Sequence, residues 1–217
     1  MDKTSRSYRI LSFEKKGRFL ICRFDADWCD RLVPGQFMMV HVANDGERLL
    51  GRPLCASDCG DGWVEFVAAV VGGGTRQMAE TFHEGMEIQV VGPLGNGFKV
   101  ADMYRNVVLV GGGVGAAELV LLSRQLSEQG RPPRFICGAR TEADLVHLDR
   151  LREHCSDVIV TTEDGSKGEK GIVTTPLARM LREDDDDLIA ACGPDGMLRA
   201  VAKMALEHGV ESLVATE

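Results

Sequence analysis

The sequence has 217 residues, a length that allows one large domain or two smaller ones and leaves ample chain to bury a core. Hydrophobic residues make up 44% and charged residues 27%, values of a folded protein rather than a disordered one. Lys and Arg number 25 against 33 Asp and Glu, a net charge of −8, so we expect neither nucleic acid nor a membrane surface as a partner.

The N-terminal residues and the cysteines indicate the compartment. Asp2, Lys3 and Arg6 lead into no apolar segment, and no apolar run approaches the ~18 residues of a membrane span, so we expect a cytoplasmic location. The cysteines show no C-x-x-C pair and no histidines at metal-ligand spacing, which predicts neither a disulfide framework nor a metal site. We expect most of them to be small buried side chains in a reducing compartment. The seven are Cys22, Cys29, Cys55, Cys59, Cys137, Cys155 and Cys192.

The first half of the chain, from Tyr8 to Val91, consists of short alternating runs separated by Gly and Pro. This pattern predicts a closed antiparallel β-barrel. One segment of this half, 75–82, has helical spacing, and Thr75 is placed to cap it.

After Tyr104 the pattern changes to strands alternating with helices. Residues 106–110 form an apolar run that predicts a buried strand; a glycine turn follows, and then a helix with Leu119, Leu122 and Leu126 on one face. Further strands are expected at 134–137, 157–161, 188–191 and 211–214. Further helices are expected at 142–154, at 175–182 with Thr175 as N-cap and Pro176 first, and at 195–208 ended by Gly209.

This alternation predicts a doubly wound parallel sheet. The sequence therefore divides into a barrel domain, 1–100, and an α/β domain, 101–217. The acidic run 183–187 could hold a divalent cation, but metal cages need ligands that converge from separated positions, so we expect a solvated loop.

Two strand ends of the α/β half could bind a dinucleotide. In the turn Gly111-Gly112-Gly113-Val114-Gly115-Ala116, glycines would let the backbone approach a diphosphate, although a tight turn without a ligand is the alternative. The strand 188–191 runs into Cys192-Gly193-Pro194, which places a thiol at the rim of the same crevice unless Cys192 is only core packing.

The barrel half offers a second anion site. Arg52-Pro53-Leu54-Cys55 puts a cation beside a rigid turn, and Gly72-Gly73-Gly74-Thr75 leads into the helix. A phosphate there would find backbone donors on one side and the Arg52 guanidinium on the other. Taken alone, the anion site of either half could equally be an ordinary turn. The presence of one such site in each of the two domains is the stronger indication of a bound ligand.

These motifs occur in the order found in the ferredoxin-NADP reductase superfamily, which the chain resembles from about Tyr8 to Glu217. The motifs are Pro34-Gly35-Gln36-Phe37, Arg52-Pro53-Leu54-Cys55, Gly74-Thr75, Gly92 to Phe98, the Gly111 to Ala116 turn and Cys192-Gly193-Pro194. Gly92 to Phe98, Asp164-Gly165-Ser166 and the overall length look most like the electron-transfer subunit of class 1B dihydroorotate dehydrogenase.

The resemblance implies FAD in the barrel and NAD in the α/β domain. Arg52, Gly74 and Thr75 would bind the FAD diphosphate, and Pro53 is a further cofactor-binding residue. Leu54, Cys55 and the segment Ala68, Ala69 and Val70 would lie along the flavin. Gly111, Gly112, Gly113, Val114 and Gly115 would bind the NAD diphosphate, and Cys192, Gly193 and Pro194 would border the nicotinamide. Cys55 and Cys192 are the predicted catalytic residues.

Two departures from the family matter. Cys55 stands where the family usually has Ser, and a thiol is the weaker hydrogen-bond donor. The family also carries a [2Fe–2S] cluster on four cysteines after the last strand, and this sequence contains no residue for that role. Either the sequence is a shortened form ending before the cluster segment or it is a cluster-free relative; Glu211-Ser212-Leu213 resembles the strand that leads into those cysteines, which favours the first.

The resemblance also predicts the cofactor preference and the partner. Thr161 to Ser166 carries acids that would repel a 2′-phosphate, so we predict NADH over NADPH, with Arg140 as the residue that argues against it. The implied function is electron transfer between NADH and a catalytic subunit, an FMN-containing dihydroorotate dehydrogenase, in a heterotetramer serving pyrimidine biosynthesis. The alternatives are a reductase subunit for a hydrogenase, sulfite reductase or transhydrogenase, and a non-catalytic nucleotide-binding regulatory module.

Overall fold

The computed structural model describes residues 5–41, 51–183 and 187–216. The chain divides into two compact units, Met1–Gly97 and Phe98–Glu217. The division falls three residues before the boundary expected from the sequence.

The first unit is a closed barrel, as the alternating pattern predicts. Its strands are antiparallel in the order β1-β2-β5-β4-β3-β6, and one helix, α1, follows β5. Large side chains with no exposed surface, among them Phe19, Phe24, Phe66 and Met38, fill the core. The elements are β1 (Arg6–Lys16), β2 (Phe19–Asp25), β3 (Phe37–His41), β4 (Arg52–Gly60), β5 (Trp63–Ala69), α1 (Gly73–Thr81) and β6 (Glu87–Leu94).

The second unit is a parallel sheet with helices, which confirms the predicted doubly wound fold. The strands are β7 (Val107–Gly112), β8 (Arg134–Ala139), β9 (Asp157–Thr162), β10 (Glu169–Lys170), β11 (Leu188–Gly193) and β12 (Glu211–Thr216). The helices are α2 (Gly115–Glu118), α3 (Val120–Glu128), α4 (Leu148–His154), α5 (Thr174–Glu183) and α6 (Asp195–His208).

The order of strands in the sheet indicates which edge is suited to bind a ligand. The strands run β10-β9-β8-β7-β11-β12, so the chain builds outward from β7 to one side and then crosses to the other. Alternate residues of β7 pack into two cores, Val107 and Leu109 into one and Val108 and Val110 into the other. In folds of this kind, ligands bind at the carboxyl ends of the strands where the order reverses, here between β7 and β11.

The helix expected after the glycine turn and the one expected at 142–154 are each interrupted, which corrects the prediction. The first splits into α2 and α3 at Leu119, whose N–H bonds to the carbonyl of Ala117 instead of continuing the helical pattern. The second is a short 3-10 turn, Glu142–Asp144, followed by α4, with His147 between them in a left-handed conformation (φ 55°). Leu145 and Val146 are buried in the connection, so tertiary packing overrides the helical spacing there.

Two helix starts also differ from the prediction. Thr75 lies inside the first turn of α1, whose N-cap is Gly72, and α5 begins at Thr174, so that Thr175 and Pro176 are its second and third residues. The end of α6 is as expected, because Gly209 takes the left-handed conformation (φ 69°) that closes a helix.

The cysteines contain a disulfide bond that the sequence does not predict. Cys29 and Cys59 are bonded, with their Cα atoms 5.6 Å apart, which corrects the expectation of unpaired cysteines. The cause is the strand order: β2 and β4 both pair with β5, and Phe24 and Cys59 are both opposite Val64. The unbonded cysteines are Cys22, Cys55, Cys137, Cys155 and Cys192.

Residues 184–186 of the acidic run lie outside the described residues. Asp187 is described, and its carboxylate accepts the backbone N–H groups of Arg105 at 2.7 Å and Asn106 at 2.8 Å. Within the described parts of the chain, no helix combines the length and apolarity needed to cross a membrane.

Candidate functional site

Arg52 and Gly74, far apart in sequence, lie in direct contact in the barrel unit. A Cβ added at Gly74 would overlap the guanidinium of Arg52, so the cation covers the first turn of α1. Thr75 secures this turn, because its hydroxyl accepts the backbone N–H groups of Val71 at 3.1 Å and Gly72 at 3.3 Å. The predicted residues Arg52, Gly74 and Thr75 therefore form one cluster with a positive charge over a helix start, a combination suited to a phosphate.

The strands next to this cluster leave an open edge. The β4–β5 ladder runs from Ala56, opposite Phe66, to Gly60, opposite Trp63. Residues 52–55 of β4 pair with β3 instead, and 67–69 of β5 pair with β2, so these two stretches lie outside the shared ladder. Leu54 and Cys55 are half-buried although β4 belongs to a closed barrel. Backbone groups along such an edge suit the polar rim of a planar heterocycle.

The sequence-predicted flavin residues all border this edge. Pro53 is exposed at the start of β4 and lies opposite Met39, while Leu54 and Cys55 lie opposite Met38 and Phe37. On β5, Ala68 is buried, and Ala69 and Val70 are half-buried at its end. The structure therefore gathers the predicted residues of the barrel unit in one region, as far as its described residues extend.

The glycine turn of the second unit packs against the end of β11. Gly111 lies opposite Cys192 in the β7–β11 register. A Cβ at Gly115 would overlap the backbone carbonyl of Cys192, so the start of α2 lies directly on the strand end. The N–H of Gly113 donates to the carbonyl of Gly138 at 2.8 Å and joins the turn to β8 as well.

The second glycine segment meets the first at the same sheet edge. Gly193 has φ 152°, and a Cβ there would lie 3.1 Å from the carbonyl oxygen of Gly112. Pro194 is the N-cap of α6, and its ring lies beside Gly112. The predicted residues 111–115 and 192–194 thus pack against one another at the point where the strand order reverses, with Gly113, Val114 and Pro194 reaching solvent. A glycine turn before a helix at such a point is the arrangement that lets a diphosphate approach backbone N–H groups.

An acidic loop follows β9 at the same end of the sheet. The Oδ1 atom of Asp164 accepts both the N–H (2.9 Å) and the hydroxyl (2.7 Å) of Ser166. These bonds hold the pKa of the Asp164 carboxyl below its ordinary value, so the loop carries a fixed negative charge at neutral pH. Lys167 is engaged by Glu142, Nζ to Oε1 at 2.7 Å, and Arg140 is exposed.

Three further residues at this edge were not predicted as site residues. Met197 covers both glycine segments, with its sulfur 2.5 Å from a Cβ built at Gly112 and its methyl carbon 2.7 Å from one built at Gly193. Glu118 is buried and bonded to Cys192. The buried hydroxyl of Thr161 has no hydrogen-bond partner among the described residues. Of these three, only Glu118 could have been noticed in the sequence, because it is an acid within an apolar helical run.

Comparison with known proteins gives consistent matches. Residues 109–203 match the family model of the oxidoreductase NAD-binding domain. A protein of Clostridium perfringens named dihydroorotate dehydrogenase B (NAD(+)), electron transfer subunit, is 33% identical over 187 residues, which are 86% of this chain and 73% of that protein. A homolog of this subunit in Thermotoga maritima is 38% identical over 179 residues, 82% of this chain and 62% of its own length.

A solved structure is similar over nearly the whole chain. It is that of an NADH-dependent reduced ferredoxin-NADP oxidoreductase, described for flavin-based electron bifurcation. It is 33% identical, with a TM-score of 0.85, and the match covers 99% of this chain and 77% of that one. The chain therefore spans about two thirds to three quarters of the length of these relatives.

Proposed function

Because this chain belongs to the family of dihydroorotate dehydrogenase B (NAD(+)) electron transfer subunits, we propose that it binds FAD and NAD(H) and passes electrons between NADH and a partner subunit. The observation that supports the proposal is a group of residues suited to a phosphate in each unit. Arg52 with Gly74 forms the first, and the paired glycine segments at the ends of β7 and β11 form the second.

The barrel residues fit FAD. The Arg52 guanidinium and the first turn of α1 would hold the diphosphate, and the open edge between residues 52–55 and 67–69 would hydrogen-bond the rim of the ring system. FAD, when bound, supplies the ability to take two electrons as a hydride and to give them up singly. Cys55 would lie at the ring with a thiol in place of the usual hydroxyl.

The residues of the second unit fit NAD. The glycine turn 111–115 would hold the diphosphate, and the adjoining Cys192, Gly193 and Pro194 would lie at the nicotinamide end. The fixed charge of Asp164 supports NADH as the preferred form, because a carboxylate repels a 2′-phosphate and can accept a hydrogen bond from a ribose hydroxyl. Acid–base catalysis by the protein is not required for a hydride transfer between two bound cofactors.

The names of the relatives support a catalytic dehydrogenase as the partner. We propose an FMN-containing dihydroorotate dehydrogenase, joined to this chain in a heterotetramer in the cytoplasm, with electrons relayed by a [2Fe–2S] cluster. Within the described residues, no three His, Cys, Asp or Glu side chains are grouped so as to hold a metal ion. We assign FAD and NAD to this chain.

A second candidate is a reductase subunit of an electron-bifurcating complex. The solved structure of the NADH-dependent reduced ferredoxin-NADP oxidoreductase, 33% identical over almost the entire chain, favours it. Both candidates use the same FAD and NAD sites and differ in the partner. Purification of the tagged protein from its own cells, with identification of the co-purified flavoprotein, separates them.

The direct test of the shared activity is the visible absorbance of the purified protein during anaerobic titration with NADH and, separately, NADPH. We expect a flavin band that bleaches with NADH and responds weakly to NADPH. A protein that holds no flavin and cannot be reconstituted with FAD would overturn the proposal and leave a nucleotide-binding regulatory module. Addition of the partner and orotate should then restore the flavin band, because two electrons leave the reduced flavin and, with two protons, convert orotate to dihydroorotate.

A further inference from the structure

Glu118 is a carboxylic acid set in an apolar environment under the glycine turn. It is the last residue of α2 and only 7% exposed, and its neighbours Ala116, Ala117 and Leu119 are buried as well. Burial of a carboxylate costs free energy unless other groups replace its hydrogen bonds to water. An acid at this position therefore suggests a role beyond packing. Core packing alone would be served better by an apolar side chain.

Glu118 makes a contact at the strand end that would border the nicotinamide. Its Oε2 atom accepts the thiol hydrogen of Cys192, with sulfur and oxygen 2.9 Å apart, and Cys192 has no exposed surface. Thiols are weak donors, and a charged carboxylate oxygen is a stronger acceptor for them than a neutral oxygen. Gly115 holds α2 against the carbonyl of the same cysteine, so backbone and side chain both join α2 to β11.

We propose that Glu118 is a positioning residue for the nicotinamide end of the NAD site. It fixes the thiol of Cys192 in one orientation and adds a negative charge next to that residue. The nicotinamide ring is positively charged in NAD+ and neutral in NADH, and charges interact more strongly in a poorly solvated site than in water. Glu118 therefore favours the oxidised dinucleotide and, with it, loss of the hydride. This inference rests on the NAD site of the proposed function.

The affinities for two ligands, NAD+ and ADP-ribose, distinguish this positioning role from a general contribution to stability. NAD+ and ADP-ribose share the adenosine and diphosphate, and ADP-ribose lacks the nicotinamide; neither reduces oxidised flavin. Calorimetric titration of the full-length protein gives both affinities. For Glu118→Gln, which keeps the shape and an acceptor oxygen but removes the charge, we expect NAD+ to bind about five- to tenfold more weakly and ADP-ribose to bind as in the wild type.

A matched variant controls for the loss of one negative charge. Glu128→Gln changes the same residue type at an exposed position on the adjoining α3, where Glu128 pairs with Arg124 at 3.5 Å. We expect this variant to bind both ligands as the wild type does. An equal loss of NAD+ affinity in Glu128→Gln would overturn the local role of Glu118.

A second readout needs no ligand. The infrared S–H stretching band of Cys192, identified by its disappearance in Cys192→Ala, reports the thiol hydrogen bond. We expect Glu118→Leu to shift this band towards that of a thiol without an acceptor, and Glu118→Gln to shift it less. A band that Glu118→Leu leaves unchanged would overturn the positioning role.

The outcomes distinguish this inference from the proposed function. If the wild type bound neither NAD+ nor ADP-ribose, the NAD site and this inference would both fall. If the wild type bound both, and Glu118→Gln weakened them equally or not at all, only the inference about Glu118 would fall. A selective loss of NAD+ affinity together with the S–H shift supports it.

Discussion

The guanidinium of Arg52 lies against the Cα of Gly74, so closely that position 74 has no room for a side chain. We therefore expect Gly74→Ala to displace Arg52 and to raise the dissociation constant for FAD by at least about tenfold, the effect of one lost charge-assisted contact. The measurement is the flavin content per protein after dialysis, followed by titration with FAD.

The control for this variant lies in the same turn. Gly72 is the N-cap of α1 and has open space where a Cβ would stand. Gly72→Ala should retain flavin as the wild type does. Full flavin content in Gly74→Ala would contradict the placing of the FAD diphosphate at this turn.

The contact of Gly115 with the end of β11 gives a second prediction. An alanine at 115 would push α2 away from the Cys192 carbonyl, so we expect the free energy of unfolding to fall by about 1–3 kcal/mol and NAD+ binding to weaken. Urea denaturation and NAD+ titration measure the two effects. Gly196→Ala, in the first turn of α6 with open space around it, should lower neither the free energy of unfolding nor NAD+ affinity, since alanine is the better helix former. An equal loss there would exclude the specific contact as the cause.

Removing the charge of Asp164 in the acidic loop should shift the cofactor preference towards NADPH. Asp164→Asn keeps an acceptor for Ser166 and removes the charge, so we expect the ratio of kcat/KM for NADPH to that for NADH to rise about three- to tenfold. Because the pKa of Asp164 is lowered, the wild-type preference should persist as the pH falls through the range where an ordinary aspartate is protonated. Asp149→Asn, at an exposed position of α4, is the matched control and should not change the ratio.

Buried thiols make stability sensitive to alkaline pH. Burial raises the pKa of Cys137 to about 12, so the folded protein keeps this thiol protonated while the unfolded chain ionises it above its ordinary pKa of 9.0. The unfolded state then binds fewer protons, and the free energy of unfolding falls by up to about 1.4 kcal/mol per pH unit from this residue. Denaturation at pH 7.5 and pH 10 should show a smaller loss for Cys137→Ala than for the wild type.

The Cys29–Cys59 bond should contribute to the stability of the barrel. It joins residues 30 apart, and a loop of this length corresponds to about 3.5 kcal/mol of lost freedom in the unfolded chain. We expect dithiothreitol, or the Cys29→Ser/Cys59→Ser double variant, to lower the free energy of unfolding. A reductant that lowers it equally in the double variant would show that the bond is not responsible.

The strands of the α/β unit and the ends that carry its glycines are predictable from sequence because buried parallel strands are apolar runs. Val107–Gly112 and Leu188–Gly193 are such runs, and each passes directly into glycine. The breaks at Leu119 and His147 are not predictable in this way, since helical spacing continues through both and only packing against neighbouring elements decides them.

Contacts between residues far apart in the sequence could not be predicted either. The sequence shows Arg52 beside a turn and glycines before a helix, but only the folded barrel brings the guanidinium onto Gly74. The bond between Cys29 and Cys59 depends on two strands sharing β5 as a neighbour. The contact of Glu118 with Cys192 spans 74 residues and arises from the sheet order, which local spacing does not encode.

The side chain of Met197 lies over both Gly112 and Gly193, and it is half-buried there. A thioether is flexible and apolar, and oxidation to the sulfoxide makes it polar and larger. An oxidised Met197 would force apart strand ends that meet only because neither glycine has a side chain. At the site proposed for the dinucleotide, the protein thus carries a side chain that oxidants formed by a flavin would convert to the sulfoxide. Methionine sulfoxide reductase could restore it.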